Sequence, residues 1–184
     1  MPHLHLCLQS GSDKTLLRMR RMYDVGQFRK IVGQFRSVYP DFNFTTDIIV
    51  GFPGETEEEF QQTFDAVKEF NISHVHTFKY SVRKGTRAER LENHVPEKIK
   101  NARSALIRQL SDVNRHKYYQ SLIGKTQEVL IEKVTKTKAS GYADLYVPVE
   151  FNAKDILKNS IQTVKLTGLS GEGEKLVLIG ELQN

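Results

Sequence analysis

The chain has 184 residues, 39% of them apolar and 27% charged, with a net charge of +5, which is the composition of an ordinary globular protein and not of a disordered or fibrous one. No apolar run approaches the roughly 18 residues of a membrane span, and Met1-Pro2-His3-Leu4 has neither a basic nor an apolar signal region, so no membrane partner and a cytoplasmic location are expected. The single cysteine, Cys7, excludes an internal disulfide, and one thiolate cannot hold an iron–sulfur cluster or a structural zinc.

His3 to Leu8 alternates over a short run and predicts a strand. Gln9-Ser10-Gly11 stops it, and Ser12 is a candidate N-cap for a helix through Leu16 and Leu17 to about Met22. Asp24 can cap a second helix whose apolar positions Val25, Phe28, Ile31, Val32, Phe35 and Val38 follow helical spacing until Pro40. Phe42 to Val50 ends in Ile48-Ile49-Val50, the pattern of a buried parallel strand. The loop Gly51-Phe52-Pro53-Gly54-Glu55 follows, and Thr56-Glu57-Glu58-Glu59 reads as a capping box opening a helix with Phe60, Phe64, Val67 and Phe70 inward. His74 to Tyr80 is a third strand, closed by the loop Ser81 to Thr86.

This alternation predicts a parallel α/β domain over residues 1–95. Three strands cannot close a barrel, so the domain is expected to be a partial one whose amino-terminal part lies elsewhere. Chemistry in such folds gathers beyond the carboxyl ends of the strands, which places the loops at Gln9, Gly51 and Arg83 on one face. Pro96 opens a long helix, 96–123, expected to bury Ile99, Ala102, Leu106, Leu110 and Val113. Beyond Gly124, the runs Gln127–Val134, Tyr142–Phe151, Ile161–Leu166 and Lys175–Leu182 predict a small antiparallel barrel over 124–184.

Few residues announce chemistry by spacing alone. Gly51 and Gly54 would let a ligand approach the backbone, although the three following glutamates would repel a phosphate, and spacing alone favours a plain strand-to-helix turn. Gln9, Ser10 and Gly11 form a polar strand end that also suits a simple turn. Asp47 either faces the site or pairs with an arginine of the scaffold. Arg20 or Arg21 could fork a ligand carboxylate, or remain solvated. His3, His5, His74 and His76 occupy alternate strand positions; no acidic ligand completing a metal site is evident, so packed or surface histidines and no metal are expected. In the tail, Lys125, Lys133 and Lys136 with Tyr142 could meet RNA, but the eight lysines after residue 121 are balanced by eight acids and equally fit a solvated surface.

Taken together, QSGSDKTLLRMRRMYD (9–24), TDIIVGFPGETEEEF (46–60), FKYSVRKGT (78–86) and the closing barrel resemble the tRNA methylthiotransferases of the radical S-adenosylmethionine superfamily, in order and at matching separations. The resemblance implies the carboxyl-terminal part of a partial (β/α) barrel followed by a TRAM domain, the OB-like RNA-binding appendage of that family. It implies S-adenosylmethionine contacts at Gln9, Ser10, Gly11, Asp47, Gly51, Gly54 and one of Arg20 or Arg21. It also implies tRNA contacts near the anticodon, for which Arg83, Lys84, Lys125, Lys133, Lys136 and Tyr142 are candidates.

The family uses two 4Fe-4S clusters, and its CxxxCxxC motif is absent here. The chain is therefore expected to bind no cluster, to be inactive alone and to require the missing amino-terminal part as its partner. Arg20 to Asp24 and His74-Val75-His76 look more like the branch acting on threonylcarbamoyl-adenosine than the isopentenyl-adenosine branch. A non-catalytic RNA-binding protein built on the α/β platform is the alternative.

Overall fold

The structure, a computed structural model, describes residues 1–152 and 156–183. It divides into two compact units, one formed by 4–40 and 44–114, the other by 1–3, 41–43 and the residues from 115 onward.

The first unit holds a three-stranded sheet in the order β1 (His3–His5), β2 (Asn43–Val50), β3 (His74–Lys79). β2 and β3 are parallel, with Asp47 opposite His76 and Val50 opposite Lys79, and Gln9 bridges Ile48 in the same sense. Three helices connect the strands: α1 (Asp13–Arg18), α2 (Val25–Val38) and α3 (Glu57–Glu69). The expected capping box of Thr56 with Glu59 is present, and Asp24, expected as a simple cap, forms a second box with Gln27, so both helices start where their sequence signals lie. Ser12 departs from expectation: its hydroxyl caps nothing, although α1 starts after it. Phe44, Ile48, Val50, Phe28, Phe60 and Val67 form the core beneath the helices, whereas Val38 is 85% exposed and lies outside it.

α4 (Glu97–Leu122) corrects the expected helix phase. The predicted face is largely outward, with Ile99, Leu106 and Val113 exposed, and the buried stripe in this unit is Arg103, Ser104, Ile107, Ser111 and Asn114. The reason is backbone hydrogen bonding. β3 is an edge strand whose outward N–H groups need acceptors. The Val75 N–H donates to Ser111 Oγ at 2.9 Å, and Asn114 Nδ2 donates to the Val67 carbonyl at 3.2 Å. A leucine at either position would leave a buried backbone group without a partner.

In the second unit, β4 (Thr126–Val134), β5 (Lys138–Ala143), β6 (Pro148–Asn152), β7 (Ile161–Ser170) and β8 (Val177–Leu182) close a barrel in the order β4-β5-β6-β8-β7. Two expectations change. Tyr142–Phe151 is two strands and a turn, with Tyr146 at φ +58, and the barrel is not wholly antiparallel because β6 and β8 run parallel. Val129, Ile131, Val149, Phe151, Val164, Leu166 and Leu178 fill the interior with Tyr118, Tyr119 and Leu122 from the last turns of α4. At Gly141 of β5 the Leu130 carbonyl occupies the place of a Cβ, so any side chain there would separate β4 from β5.

The helix phase can be tested by paired substitutions on α4. Ile107 is fully buried, so Ile107→Ala should cost about 2–5 kcal/mol in urea denaturation. Leu106→Lys, one position away on the exposed side, should stay within about 0.5 kcal/mol. Equal costs would refute the phase.

Candidate functional site

The parallel register brings the loops after β1, β2 and β3 to the same end of the sheet. In the first loop, Gln9 adopts φ +65, uncommon for a residue with a side chain, and is held by Gln9 N–H to the Asp47 carbonyl (2.8 Å) and Ile49 N–H to the Gln9 carbonyl (2.9 Å). Ser10 and Gly11 face inward. The Ser10 and Thr63 hydroxyls lie 3.1 Å apart, and the Gly11 N–H donates to Thr63 Oγ1 at 3.0 Å. A Cβ on Gly11 would come within 2.7 Å of Ala66 Cβ, so this glycine is required by the closeness of loop and α3.

The second loop is locked by a buried charge pair. Gly51 and Gly54 both take left-handed backbone conformations, which turns the Gly51 N–H toward the interior. Glu55 curls back to accept that N–H at 2.7 Å, and its carboxylate is thereby buried. Arg103 answers it: Nη1 donates to Glu55 Oε2 at 2.7 Å, Nη2 reaches Glu57 Oε2 at 2.9 Å, and the guanidinium lies over the Phe60 ring. Burial pushes the Glu55 carboxyl upward, against the Gly51 N–H and Arg103, which pull it down. Among the described residues, Glu55 Oε1 is buried without a hydrogen-bond partner. The space that glycine opens at Gly51 is filled by the stem of Lys100, so the backbone there is covered by protein.

A second arginine acts on α3. Arg18 forks onto the Glu59 carboxylate and Thr15, and Thr15 Oγ1 donates to Glu59 Oε2 at 3.1 Å. Burial raises the Glu59 carboxyl, but the hydrogen bonds from Arg18 and the Thr56 N–H outweigh it and leave Glu59 below the usual carboxylate range. Arg20 and Arg21, the two arginines singled out by sequence, are exposed, and Arg20 stands in the left-handed turn that ends α1.

The sheet face away from the helices is polar. His5 Nε2 lies 3.4 Å from Asp47 Oδ1, the thiol of Cys7 donates to Asp47 Oδ2 at 3.6 Å, and the His5 and His76 rings are 5.6 Å apart. Burial and Asp47 raise the Cys7 thiol, which argues against a ready thiolate. Asp47 is thus turned to this open face, with histidines rather than an arginine as neighbours. Sequence reading missed the grouping because the His5–Asp47–His76 adjacency depends on strand pairing between residues far apart in the chain.

Of the candidate RNA contacts, Arg83, Lys84, Lys133 and Lys136 are exposed, and Lys125 is engaged with Asp41 at 2.5 Å. Tyr142 is stacked on Tyr146 at 5.0 Å, and Tyr146 on His3 at 4.7 Å, which makes a three-ring ladder on the barrel unit. Among the described residues no helix is long and apolar enough to cross a membrane.

The two arginine–glutamate pairs each make a prediction. Arg103→Met should destabilise by about 3–5 kcal/mol in urea denaturation because it strands a buried carboxylate, and adding Glu55→Gln should recover part of the loss. For Glu59 the folded pKa lies below the unfolded one, so its stabilisation is present above the unfolded value and is lost as pH falls through the folded value. Stability measured from about pH 5 downward should fall less steeply in Glu59→Gln than in the wild type.

Residues 1–67 match the family model described as the radical SAM superfamily. The chain is 43% identical over 173 residues to the threonylcarbamoyladenosine tRNA methylthiotransferase of Thermotoga maritima, covering 94% of this chain and 39% of that protein. It is 42% identical to a probable enzyme of the same name from Methanocaldococcus jannaschii, over 92% of this chain and 39% of the relative. The tRNA-2-methylthio-N(6)-dimethylallyladenosine synthase of Protochlamydia amoebophila is 39% identical over 98% of this chain and 40% of its own length. The chain thus spans about two fifths of the length of these relatives, matching their carboxyl-terminal part. Over that matched length, it belongs to the tRNA methylthiotransferase family of the radical S-adenosylmethionine superfamily.

Proposed function

We propose that the chain is the carboxyl-terminal portion of an enzyme that adds a methylthio group to a modified adenosine beside the tRNA anticodon, threonylcarbamoyl-adenosine before isopentenyl-adenosine. The observation that carries this reading is the near end-to-end similarity to the carboxyl-terminal part of such enzymes, across both units. In this reading, residues 1–95 are a piece of the radical-SAM barrel, 96–123 a linker helix and 124–184 a TRAM-type RNA-binding barrel.

The open sheet face suits S-adenosylmethionine. Asp47 offers a half-buried carboxylate for hydroxyl or ammonium donors, and Gln9 an amide at the adjacent strand end. Ser10, Gly11, Gly51 and Gly54 would contribute by shaping the loops, since their own groups are tied into the protein, and exposed Arg20 or Arg21 would fork the ligand carboxylate. When bound, S-adenosylmethionine would supply the methyl group and the hydrogen-abstracting chemistry of the family. Cys7 alone does not fit an iron–sulfur cluster, so the thiolates would come from residues outside this chain.

For the RNA, the exposed aromatic ladder offers a stacking platform and the exposed lysines and arginines offer phosphate contacts. The test is fluorescence anisotropy with a labelled anticodon stem–loop. Arg83→Glu/Lys84→Glu should weaken binding and flatten its salt dependence, and Tyr142→Ala should weaken it about tenfold or more, as expected for a lost base stack of about 1–3 kcal/mol. Unchanged binding in both variants would overturn the tRNA reading. In parallel, calorimetry should detect S-adenosylmethionine binding that Asp47→Ala weakens. RNA binding with no cofactor binding would favour a non-catalytic RNA platform instead.

A further inference from the structure

The grouping of His5, Asp47 and His76 carries an inference beyond the functional reading above, and because both use the Asp47 carboxylate, an ion there and S-adenosylmethionine would compete for it. Two imidazoles and one carboxylate are brought together from three adjacent strands, with one ligand atom from each lying within 4.8 Å of the others. His5 Nε2 and Asp47 Oδ1 are 3.4 Å apart. Donors bound to one tetrahedral ion at about 2.0–2.1 Å stand about 3.4 Å from each other, so this pair already has the separation of two ligands of one ion. His76 is exposed, and its ligand nitrogen lies within 4.8 Å of the other two donors.

The surroundings supply what ligands of this kind need. A ligating histidine is oriented by a hydrogen bond at its other ring nitrogen, and ligating carboxylates are themselves hydrogen-bonded. Thr45 Oγ1 lies 3.0 Å from His5 Nδ1 and can accept its N–H in the tautomer that leaves the Nε2 lone pair free for an ion between His5 and Asp47. The Cys7 thiol donates to Asp47 Oδ2, which leaves Oδ1 toward the histidines. Backbone register fixes the rest, since Asp47 pairs directly with His76 across the parallel ladder. These are nitrogen and single-carboxylate donors, the set that suits zinc and its neighbours and not magnesium or calcium, which take oxygen.

We propose that His5, Asp47 and His76 form a three-ligand site for a divalent transition ion of the zinc class, with water completing the coordination on the exposed side. The test is titration of the untagged chain with Zn2+ by calorimetry, with Mg2+ as the comparison. The expected result is one Zn2+ per chain and no Mg2+ uptake. His5→Gln, Asp47→Asn and His76→Gln should each weaken Zn2+ binding at least tenfold, with circular dichroism confirming that the variants remain folded. His3→Ala and His74→Ala should stay within threefold of the wild type. Absence of Zn2+ binding, loss in the His3 or His74 variants equal to that in the trio, or binding indifferent to the trio would overturn the site. Thermal melting gives a second readout: added Zn2+ should stabilise the wild type and the His74→Ala chain, and fail to stabilise His76→Gln.

Discussion

The organisation of the strand ends depends on one buried ion pair, Arg103 with Glu55. Two left-handed glycines turn the chain sharply after β2, and the turn leaves an inward N–H at Gly51 that water cannot reach. A carboxylate folded back from Glu55 satisfies it, at the cost of carrying a charge into the interior. Arg103 compensates, and its fork also engages Glu57 at the start of α3. A buried pair of this kind adds little net stability over an apolar replacement of the same volume. What it does in this structure is tie the loop, α3 and α4 together through one guanidinium.

The polar inward face of α4 follows from the same logic. Arg103, Ser111 and Asn114 each meet a backbone or carboxylate group that would otherwise be buried and unpaired. This explains why the helix phase was not legible. A search for apolar periodicity finds Ile99, Leu106 and Val113, whereas the face that packs is marked by hydrogen-bonding partners that only the folded sheet reveals. Most signals that are local in sequence were read correctly, the caps at Asp24 and Thr56, the stop at Pro40 and the strand ending in buried Ile48 and Val50, whereas the cap expected at Ser12 does not form. Tyr146 hid a turn because a tyrosine carries no turn signal, which is why β5 and β6 read as one strand. The parallel pairing of β6 with β8 was likewise out of reach, since nothing local distinguishes it from an antiparallel neighbour.

The candidate site was half legible for a related reason. Its loops stood out because strand, turn and capped helix follow each other directly. The open face did not, because His5, Asp47 and His76 are neighbours only after strands from distant segments have paired in register. Parallel sheets are ordinarily covered on both faces and correspondingly apolar. Here one face is apolar beneath three helices, and the other carries histidines, a carboxylate and a thiol. That division separates the part of the sheet that holds the fold from the part available for chemistry.

The position of β8 in the barrel has a consequence for how that unit is made. β8 pairs with β7 on one side and β6 on the other, so it is the stave that closes the ring. Until it is in place, β6 and β7 each present an open edge, and an open edge is a template for pairing with other chains. The tract from Val177 to Leu182 therefore seals both edges at once, and any form of the unit in which it is unpaired carries two open edges.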